Sequence, residues 1–324
     1  KITFLNHHLA HIANSFYLSN FAESAVLSCD AYGEKSSTVF AYCQKDKIDV
    51  MREVHFPHSI GMIYSTFTQF LGFRPHMDEW KVMALASYGD QKKFLKKMKN
   101  LIKIKSNGDF ELNLNYFNFY NFDKKNLYNE KIIKLFGKPR LKSQDPILQR
   151  HKDLAAALQK ITEDYVISAI KSLKKVSKSK NLSLTGGVFM NSVLNGKIFR
   201  SNIFKNVYVP FSPDDSGNAI GAVLWRYKKS IKNATPLLGF KYSNKFISKI
   251  LVNNKIKFQK IDNNMEFHVS KLLFDEKIIC WFKGQSEFGQ RALGNRSILA
   301  SPLSINMKDK LNRSIKFREG FRPF

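Results

Sequence analysis

The chain has little cysteine and no long apolar run. Its three cysteines, Cys29, Cys43 and Cys280, are scattered and odd in number, which is typical of a reducing compartment and not of a disulfide framework. The sequence contains neither a signal-peptide pattern nor an apolar run of about 18 residues. We therefore expect a cytoplasmic protein without a membrane span.

Acidic residues are also scarce, with 26 Asp and Glu against 53 Lys and Arg, so the formal net charge is +27. A charge of this size suggests a polyanionic partner, such as nucleic acid, a phosphate-bearing substrate or a membrane surface. Most of the excess is Lys interleaved with Asn, Ile and Phe, as is usual for a solvated surface. The sequence contains no arginine-rich arm, zinc finger or RNA-binding aromatic motif. Nucleic acid and a membrane are therefore not the expected partners.

What is abundant is apolar residues, at 44% of 324 residues with 28 Phe, enough for sizeable cores. Strand-like runs alternate with helix-like runs, which predicts an α/β architecture with ligands at the strand ends. We expect a strand over residues 2–5, a helix over 7–19, a hairpin of SAVLSCD and TVFAYCQ with Gly33 in its bend, and a long helix over 151–176. Residues 90–150 are predicted to be an insertion of mixed structure.

The segment NHHLAH places His7 and His11 four residues apart, on one face of a helix. Two imidazoles do not make a site, but Asp30 ends a buried strand and Asp214 and Asp215 lie between a strand and a helix. Acids at strand ends project into one crevice of an α/β sheet, and such a donor set suits iron(II), manganese or zinc. Helix capping or turn chemistry is the alternative role of each Asp, and we prefer it for Asp214.

Two further segments could bind phosphate. In LTGGVFMN a strand runs through Gly186 and Gly187 into a helix, where backbone N–H groups can approach phosphate, although such a turn often needs glycine for its conformation alone. The second segment, SEFGQRALGNRS with KFREGFRPF, concentrates arginine in a chain whose usual cation is lysine. Arginine binds phosphate or carboxylate through two parallel hydrogen bonds, whereas surface basicity is the plainer alternative.

Taken in order, eight stretches resemble the ATP-dependent O-carbamoyltransferases, a family that includes the nodulation-factor and antibiotic carbamoyltransferases. They are NHHLAHIANSFY, VLSCDAYGE, SIGMIYSTFTQFLGF, EWKVMALASYG, LTGGVFMNSVLNGK, PDDSGNAIGA, WFKGQSEFGQRALGNRSIL and KFREGFRPF. The resemblance implies an actin-like ATPase (ribonuclease H-like, duplicated) fold over residues 1–261, followed over 262–324 by the start of a YrdC-like α/β domain. We expect the start of the first domain and most of the second to lie outside this chain.

The activity that this resemblance implies has two steps. The second domain makes carbamoyl-adenylate from carbamoyl phosphate and ATP, and the first passes the carbamoyl group to a hydroxyl of a sugar or natural-product acceptor. A divalent metal, expected to be Fe²⁺, holds the phosphate of the adenylate. The catalytic base is expected in a segment that precedes this chain, and we therefore expect the chain alone to perform the full reaction poorly.

The resemblance assigns residues to three groups. The implied metal ligands are His7, His11, Asp30 and Asp215, while His8 points off the chelating face. The implied nucleotide or carbamoyl-adenylate contacts are Gly33, Lys81, Gly186, Gly187, Asn191 and Gly217. The implied phosphate contacts of the activating domain are Arg291, Arg296, Ser297, Lys316, Arg318 and Arg322. The chain departs from the family pattern at Asp78 and Ser87, on either side of Lys81, which leaves Lys81 as a candidate contact only.

Two other functions fit parts of the pattern. A threonylcarbamoyl-tRNA synthase relative would share the fold and the HxxxH pair and would use the positive charge to bind tRNA, but such proteins lack the QRALGNRS and KFREGFRPF segment. A non-catalytic nucleotide-binding protein of the same fold is the third interpretation.

Overall fold

The computed structural model describes residues 2–142, 144–261 and 263–324, and it is a mixed α/β protein. The described residues divide into two compact units, Lys1–Ala234 and Thr235–Phe324. This contact boundary precedes the domain boundary predicted at 261/262, which stays a prediction. Among the described residues, no helix combines the length and the apolar character that crossing a membrane requires.

The first unit alternates helices and strands along the chain. Its helices are α1 (His7–Ser19), α2 (Ile60–Phe70), α3 (Glu79–Ala86), α4 (Lys92–Met98), α5 (Glu130–Phe136), α6 (Gln149–Ser177), α7 (Ser192–Arg200) and α8 (Asn218–Tyr227). Its strands are β1 (Glu23–Gly33), β2 (Ser36–Gln44), β3 (Lys47–His55), β4 (Ile102–Ile104), β5 (Phe110–Leu112), β6 (Asn181–Thr185) and β7 (Asn206–Tyr208).

One mixed sheet organises this unit, with the strand order β3–β2–β1–β6–β7. The first three strands form an antiparallel meander, and β6 and β7 run parallel to β1. Strand β1 lies in the centre because its apolar run can be buried on both faces. Ser28 of β1 pairs with Thr185 of β6, so the carboxyl ends of both strands open at the same edge of the sheet.

Helix α1 lies between this sheet and α8. Its N-terminus is capped by Asn6, whose side chain accepts a hydrogen bond from the N–H of Leu9, and it ends at Asn20 in the left-handed conformation. Ile12 and Phe16 of α1 are buried together with Leu224 of α8. The first helix of the chain is therefore a central element of the core.

Residues 90–150 have mixed structure, with α4, β4, β5, a short 3-10 helix (Leu114–Tyr116), α5, turns and the start of α6. The segment is attached to the rest of the unit by its aromatic residues. Phe136 packs edge-to-face on Phe67 of α2 at 5.3 Å between ring centroids, and Phe110 packs on Tyr165 of α6 at 4.4 Å. These rings explain the abundance of Phe in this basic segment, because each buries a large apolar area.

The second unit, described by itself, contains three helices and one hairpin in its described residues. The helices are α9 (Asn244–Asn253), α10 (Met265–Phe274) and α11 (Met307–Ser314), and the hairpin pairs β8 (Ile279–Phe282) with β9 (Arg296–Leu299) in antiparallel register. The long loop between β8 and β9 carries the glycine- and arginine-rich segment.

Two sequence-based predictions of secondary structure differ from the structure. The strand predicted over residues 2–5 is not formed, and Ile2 and Phe4 are exposed. An apolar run becomes a strand only where a neighbouring strand pairs with it, and residues 2–5 have no such partner among the described residues. Strand β3 escaped prediction because KIDVMREVH carries charged residues on an edge strand.

Gly221 allows α8 to approach α1. A Cβ at this position would lie 1.9 Å from the carbonyl oxygen of Ala10, whereas a Cβ at Gly196 of α7 would meet only the tip of Arg200 at 3.2 Å. Alanine normally stabilises a helix by about 1 kcal/mol relative to glycine. We predict that Gly221→Ala instead lowers the free energy of unfolding by about 1–3 kcal/mol, measured by urea unfolding. Gly196→Ala, the matched control, should be neutral or stabilising, and equal behaviour of the two variants would contradict this packing.

Candidate metal centre and nucleotide crevice

The first two turns of α1 carry two histidines, His7 and His11, whose Nε2 atoms point to the same place. Glu34, in the turn between β1 and β2, accepts hydrogen bonds from the backbone N–H of His7 and from the side chain of Asn6. These contacts fix the start of the helix against the sheet. His7 and His11 then lie one turn apart, with 3.1 Å between their Nε2 atoms.

Asp30 supplies an oxygen at the end of β1. Its Oδ1 accepts a hydrogen bond of 2.7 Å from the N–H of Ala31, which holds the carboxylate in one orientation. Its Oδ2 lies 3.2 Å from Nε2 of His7 and 3.0 Å from Nε2 of His11. The strand end thus directs one carboxylate oxygen at both imidazoles.

Asp215 supplies an oxygen from the loop between β7 and α8. Its Oδ1 lies 3.4 Å from Nε2 of His7 and 3.2 Å from Nε2 of His11, and its side chain is 74% exposed. The neighbouring Asp214 accepts hydrogen bonds from the hydroxyls of Ser212 and Ser216 instead. Asp214 therefore stabilises the turn, and Asp215 is the acid that reaches the histidines.

The four groups fit a transition-metal site by their donor chemistry and spacing. One donor atom each from His7, His11, Asp30 and Asp215 lie within 4.8 Å of one another. Donors bound to a metal at about 2.1 Å, with angles between about 90° and 109°, stand roughly 3.0–3.4 Å apart. The distances from each histidine Nε2 to the other Nε2 and to the two carboxylate oxygens, 3.0 to 3.4 Å, fall in this range. Two imidazoles and two carboxylates are also a donor set that such ions accept.

Charge interactions and hydrogen bonds between the histidines and the acids shift the pKa values of His11 and Asp30. Burial lowers the pKa of His11, but hydrogen bonds with Asp215 and Asp30 outweigh it and raise that pKa to about 9. Burial raises the pKa of Asp30, whereas His11 and His7 hold it well below its usual range. The Asp30 carboxylate therefore stays ionised and presents negative charge to a cation.

The contact at Nδ1 of His11 directs Nε2 toward the site. Nδ1 of His11 lies 3.4 Å from the hydroxyl of Thr185, and that hydroxyl donates to the carbonyl oxygen of Pro213. Thr185 therefore accepts from Nδ1–H of His11, so Nε2 faces the carboxylates, and a cation would replace the proton that Nε2 shares with them. Outer contacts of this kind orient the histidines of metal sites.

His8, the middle histidine, has a structural role. Its Nδ1 accepts a hydrogen bond from the hydroxyl of Ser28, and its Nε2 donates to the carbonyl oxygen of Ser36. The residue is buried, and burial lowers its pKa to about 4. A neutral imidazole with both nitrogens bonded inside the core cannot also serve as a ligand.

Glycines line the approach to the four ligands. A Cβ at Gly33 would lie 2.3 Å from the ring of His7, and a Cβ at Gly187 would lie 3.0 Å from Oδ1 of Asp30. Gly186 has a φ of +93° and lies against the backbone of Cys29, while Gly217 packs against Ser212. Gly33 and Gly187 therefore border the cluster directly, whereas Gly186 and Gly217 shape the chain beside it.

A cavity of about 370 Å³ lies between α3, α6 and the start of α7. Asn191 caps α7, and its side-chain amide exchanges hydrogen bonds with that of Gln159, which lines the cavity. The turn from Gly187 to Asn191 thus connects the ligand Asp30 with the cavity wall. The residues that line the cavity are Met83, Ala86, Ser87, Gly89, Asp90, Gln91, Ala156, Gln159, Lys160, Glu163 and Val193.

Lys81, the candidate nucleotide contact, is not among these lining residues. Its ammonium lies 3.2 Å from Oδ1 of Asp78 and stands over the rings of Phe73 and Trp80. Asp78, which departs from the family pattern, is therefore its ion-pair partner.

In the second unit, a buried glutamate organises the loop from β8 to β9. Oε1 of Glu287 accepts hydrogen bonds from the backbone N–H groups of Leu293, Asn295 and Arg296, and Oε2 accepts from Nε of Arg296. Burial raises the pKa of the Glu287 carboxyl, but Arg296 and these N–H groups outweigh it and hold that pKa well below its usual range. Glu287 was missed in the sequence, although it is the one acid in the segment KGQSEFGQRALGNR.

The six implied phosphate contacts occupy different environments in this unit. The guanidinium of Arg296 is bound to Glu287, and Ser297 lies opposite Trp281 in the hairpin. The guanidinium of Arg318 is bonded to Asn312 and lies over the ring of Phe324, while Arg322 is 3.4 Å from Glu319. Arg291 and Lys316 are exposed.

Family models match both parts of the chain. The model for the carbamoyltransferase N-terminus matches residues 1–224, and the model for the carbamoyltransferase C-terminus matches residues 270–324. The chain belongs to the carbamoyltransferase family. The resemblance predicted from the eight stretches is thereby confirmed.

Relatives of this carbamoyltransferase chain are matched over nearly its whole length. It is 36% identical to the uncharacterized protein sll1178 of Synechocystis, with 100% of this chain and 54% of that protein covered. It is 32% identical to nodulation protein NolNO of Sinorhizobium fredii, with 100% and 47% covered, and 30% identical to nodulation protein NolO of Bradyrhizobium diazoefficiens, with 99% and 57% covered. The chain thus spans about half the length of these relatives.

A solved structure of full-length HypF, in a phosphate- and nucleotide-bound form, is similar over 69% of this carbamoyltransferase chain and 42% of HypF. Its TM-score is 0.37 and its identity is 15%. A similarity of this size does not define the fold.

Glu287 provides a test of the loop in the second unit. We predict that Glu287→Gln speeds amide hydrogen exchange over residues 288–296, measured by mass spectrometry, because a neutral amide accepts more weakly and its NH₂ group would face Nε of Arg296. Glu266→Gln, on the exposed first turn of α10, is the control and should leave exchange unchanged. Unchanged exchange in Glu287→Gln would show that the carboxylate does not hold the loop.

Proposed function

We propose that this chain takes part in ATP-dependent transfer of a carbamoyl group from carbamoyl phosphate, through a carbamoyl-adenylate, to a hydroxyl of a sugar or natural-product acceptor. The observation that carries the proposal is the cluster of His7, His11, Asp30 and Asp215 in a chain of the carbamoyltransferase family. Its donors suit a divalent cation, which we propose to be Fe²⁺. When bound, the cation would supply positive charge against the phosphate of the adenylate.

The crevice beside the cluster is the proposed nucleotide site. The turn from Gly187 to Asn191 begins beside the carboxylate of Asp30 and ends at the Asn191–Gln159 pair on the cavity wall. A phosphate near the cluster would therefore be separated from the cavity by one short turn. Gly187 offers little steric obstruction to the phosphate, and the cavity is large enough to admit part of a nucleotide.

The transfer step balances without a redox partner. The acceptor hydroxyl oxygen attacks the carbamoyl carbon, the bond from that carbon to the phosphate oxygen breaks, and AMP leaves with both electrons of that bond. A base takes the hydroxyl proton. Because an adenylate is a reactive mixed anhydride, the residues around it must also exclude water.

The arginine-rich loop of the second unit is the proposed phosphate site of the activating step. Glu287 fixes the loop backbone and one side of Arg296. Arg291 and Lys316, which are exposed, are the proposed contacts with carbamoyl phosphate or ATP. The match of residues 270–324 to the carbamoyltransferase C-terminus favours this activity over the tRNA-directed alternative.

We also propose that the first unit belongs to an actin-like ATPase fold of ribonuclease H-like halves. Support comes from the sheet in which an antiparallel meander is joined to two parallel strands with helices between them. The described residues of this unit contain one sheet of this kind, so the duplication stays a prediction.

The proposal can be tested by nucleotide binding. AMP stands in for the adenylate, and Mn²⁺ stands in for the oxidisable Fe²⁺. We predict that Mn²⁺ tightens AMP binding by about tenfold in calorimetric titrations, since the two ligands attract each other across the site. Asp215→Asn should abolish this coupling, whereas Asp214→Asn, the adjacent matched control, should preserve it. AMP affinity that is indifferent to Mn²⁺ in the unaltered chain would contradict the proposed site.

A further inference from the structure

Asn218 lies beside the four-ligand cluster and was not assigned to it by the sequence. It is the first residue of α8 and follows Asp215 by three positions, so both side chains leave the same turn of the chain. Nδ2 of Asn218 is 3.3 Å from Nε2 of His11. This distance lies in the 3.0–3.4 Å range that separates the ligand atoms from one another.

In the part of the chain that the structure describes, the oxygen of the Asn218 amide makes no hydrogen bond that accounts for its position. Oδ1 of Asn218 is buried and has no hydrogen-bond partner among the described residues. A buried amide oxygen without a partner loses its hydration and gains no hydrogen bond in return, which is unfavourable. An unsatisfied polar atom beside a cluster of ligands points to a group that would satisfy it.

The contact with His11 depends on the state of that imidazole. The NH₂ group of Asn218 can only donate, so it finds no acceptor at Nε2 of His11 when that nitrogen donates to the carboxylates or binds a cation. Beside a bound cation, the NH₂ group would face positive charge and the contact would be repulsive. The oxygen and nitrogen of a side-chain amide occupy nearly the same space, so a half-turn about the last bond exchanges them without moving α8.

We propose that Asn218 is a fifth metal ligand, whose amide rotates by about half a turn when a divalent cation binds and presents Oδ1 to the ion. This inference rests on the metal site of the proposed function. An amide oxygen is a neutral, hard donor of the kind that binds Mn²⁺ readily and complements imidazole and carboxylate. Five protein ligands would leave a sixth position of an octahedral ion for a single phosphate oxygen.

In the proposed site, the two acids and the asparagine of the segment DDSGN have different roles. Asp214 stabilises the turn through Ser212 and Ser216, Asp215 supplies a charged oxygen, and Asn218 supplies a neutral one. Keeping the fifth donor neutral limits the net negative charge of the site, which would otherwise repel the phosphate of a nucleotide. The site could therefore bind the cation without strongly repelling the phosphate.

Cobalt(II) reports both affinity and coordination number and is the probe for this test. Its visible absorption is strong in four-coordinate sites and weaker as the coordination number rises. We predict that Asn218→Leu, which keeps the volume but removes the donor, binds Co²⁺ about tenfold more weakly in equilibrium dialysis. Its visible absorption per bound ion should also increase, because one ligand has been lost. Asn218→Asp, which returns an oxygen to the same place, should restore the affinity and the weaker absorption.

Asn195 provides a matched control on α7. Its Oδ1 is likewise buried without a partner, and its Nδ2 donates to the carbonyl oxygen of Phe189. Asn195→Leu should leave Co²⁺ affinity and absorption unchanged. An equal loss in Asn195→Leu would mean that the Asn218 effect is general destabilisation, and would overturn the assignment.

The remaining outcomes are equally decisive. Unchanged affinity and absorption in Asn218→Leu overturn the inference while leaving the four-ligand site intact. Weaker binding with unchanged absorption also overturns it, because Asn218 would then only orient His11. If the unaltered chain binds no Co²⁺, the metal site of the proposed function fails as well, so the two failures are distinguishable.

Discussion

The convergence of Asp30 on His7 and His11 is the interaction on which the site depends. One carboxylate oxygen lies 3.2 and 3.0 Å from two imidazole nitrogens, and this contact joins the first helix to the central strand. The parallel pairing of β1 with β6 then brings Gly186 and Gly187 to the same edge of the sheet. Gly221 permits α8 to pack against α1. This packing brings Asp215 and Asn218, about two hundred residues further along the chain, next to His11.

The distribution of charge around the cluster indicates which ligands it can attract. In a chain with 53 basic and 26 acidic residues, the carboxylates of Asp30 and Asp215 lie beside a buried and a half-buried imidazole. Such a local excess of negative charge attracts a cation, while the surrounding positive field attracts phosphate. A bound cation would make the two attractions cooperative, because each ligand neutralises the charge that the other needs. The second unit also holds a buried carboxylate in place: Glu287 accepts hydrogen bonds from Arg296 and from three backbone N–H groups.

Sequence reasoning was sufficient where local spacing carries the information. The four-residue interval of His7 and His11 fixes one helix face, and the position of Asp30 after an apolar run identifies a strand end. It was insufficient where the structure of a segment depends on a contact with a distant part of the chain. The strand predicted over residues 2–5 has no pairing partner among the described residues and does not form, whereas β3 pairs with β2. Glu287 and Asn218 are ordinary polar residues in the sequence, and only the folded loop and the approach of α8 to α1 reveal which atoms they face.

The central claim is that His7, His11, Asp30 and Asp215 hold one divalent cation. Anomalous diffraction at the iron edge, from crystals of this chain grown anaerobically with Fe²⁺, tests it most directly. The account predicts one peak per chain within bonding distance of both Nε2 atoms and of one oxygen from each carboxylate. Iron bound elsewhere, or a site in which His11 remains hydrogen-bonded to Asp30 and Asp215 without an ion, would contradict it.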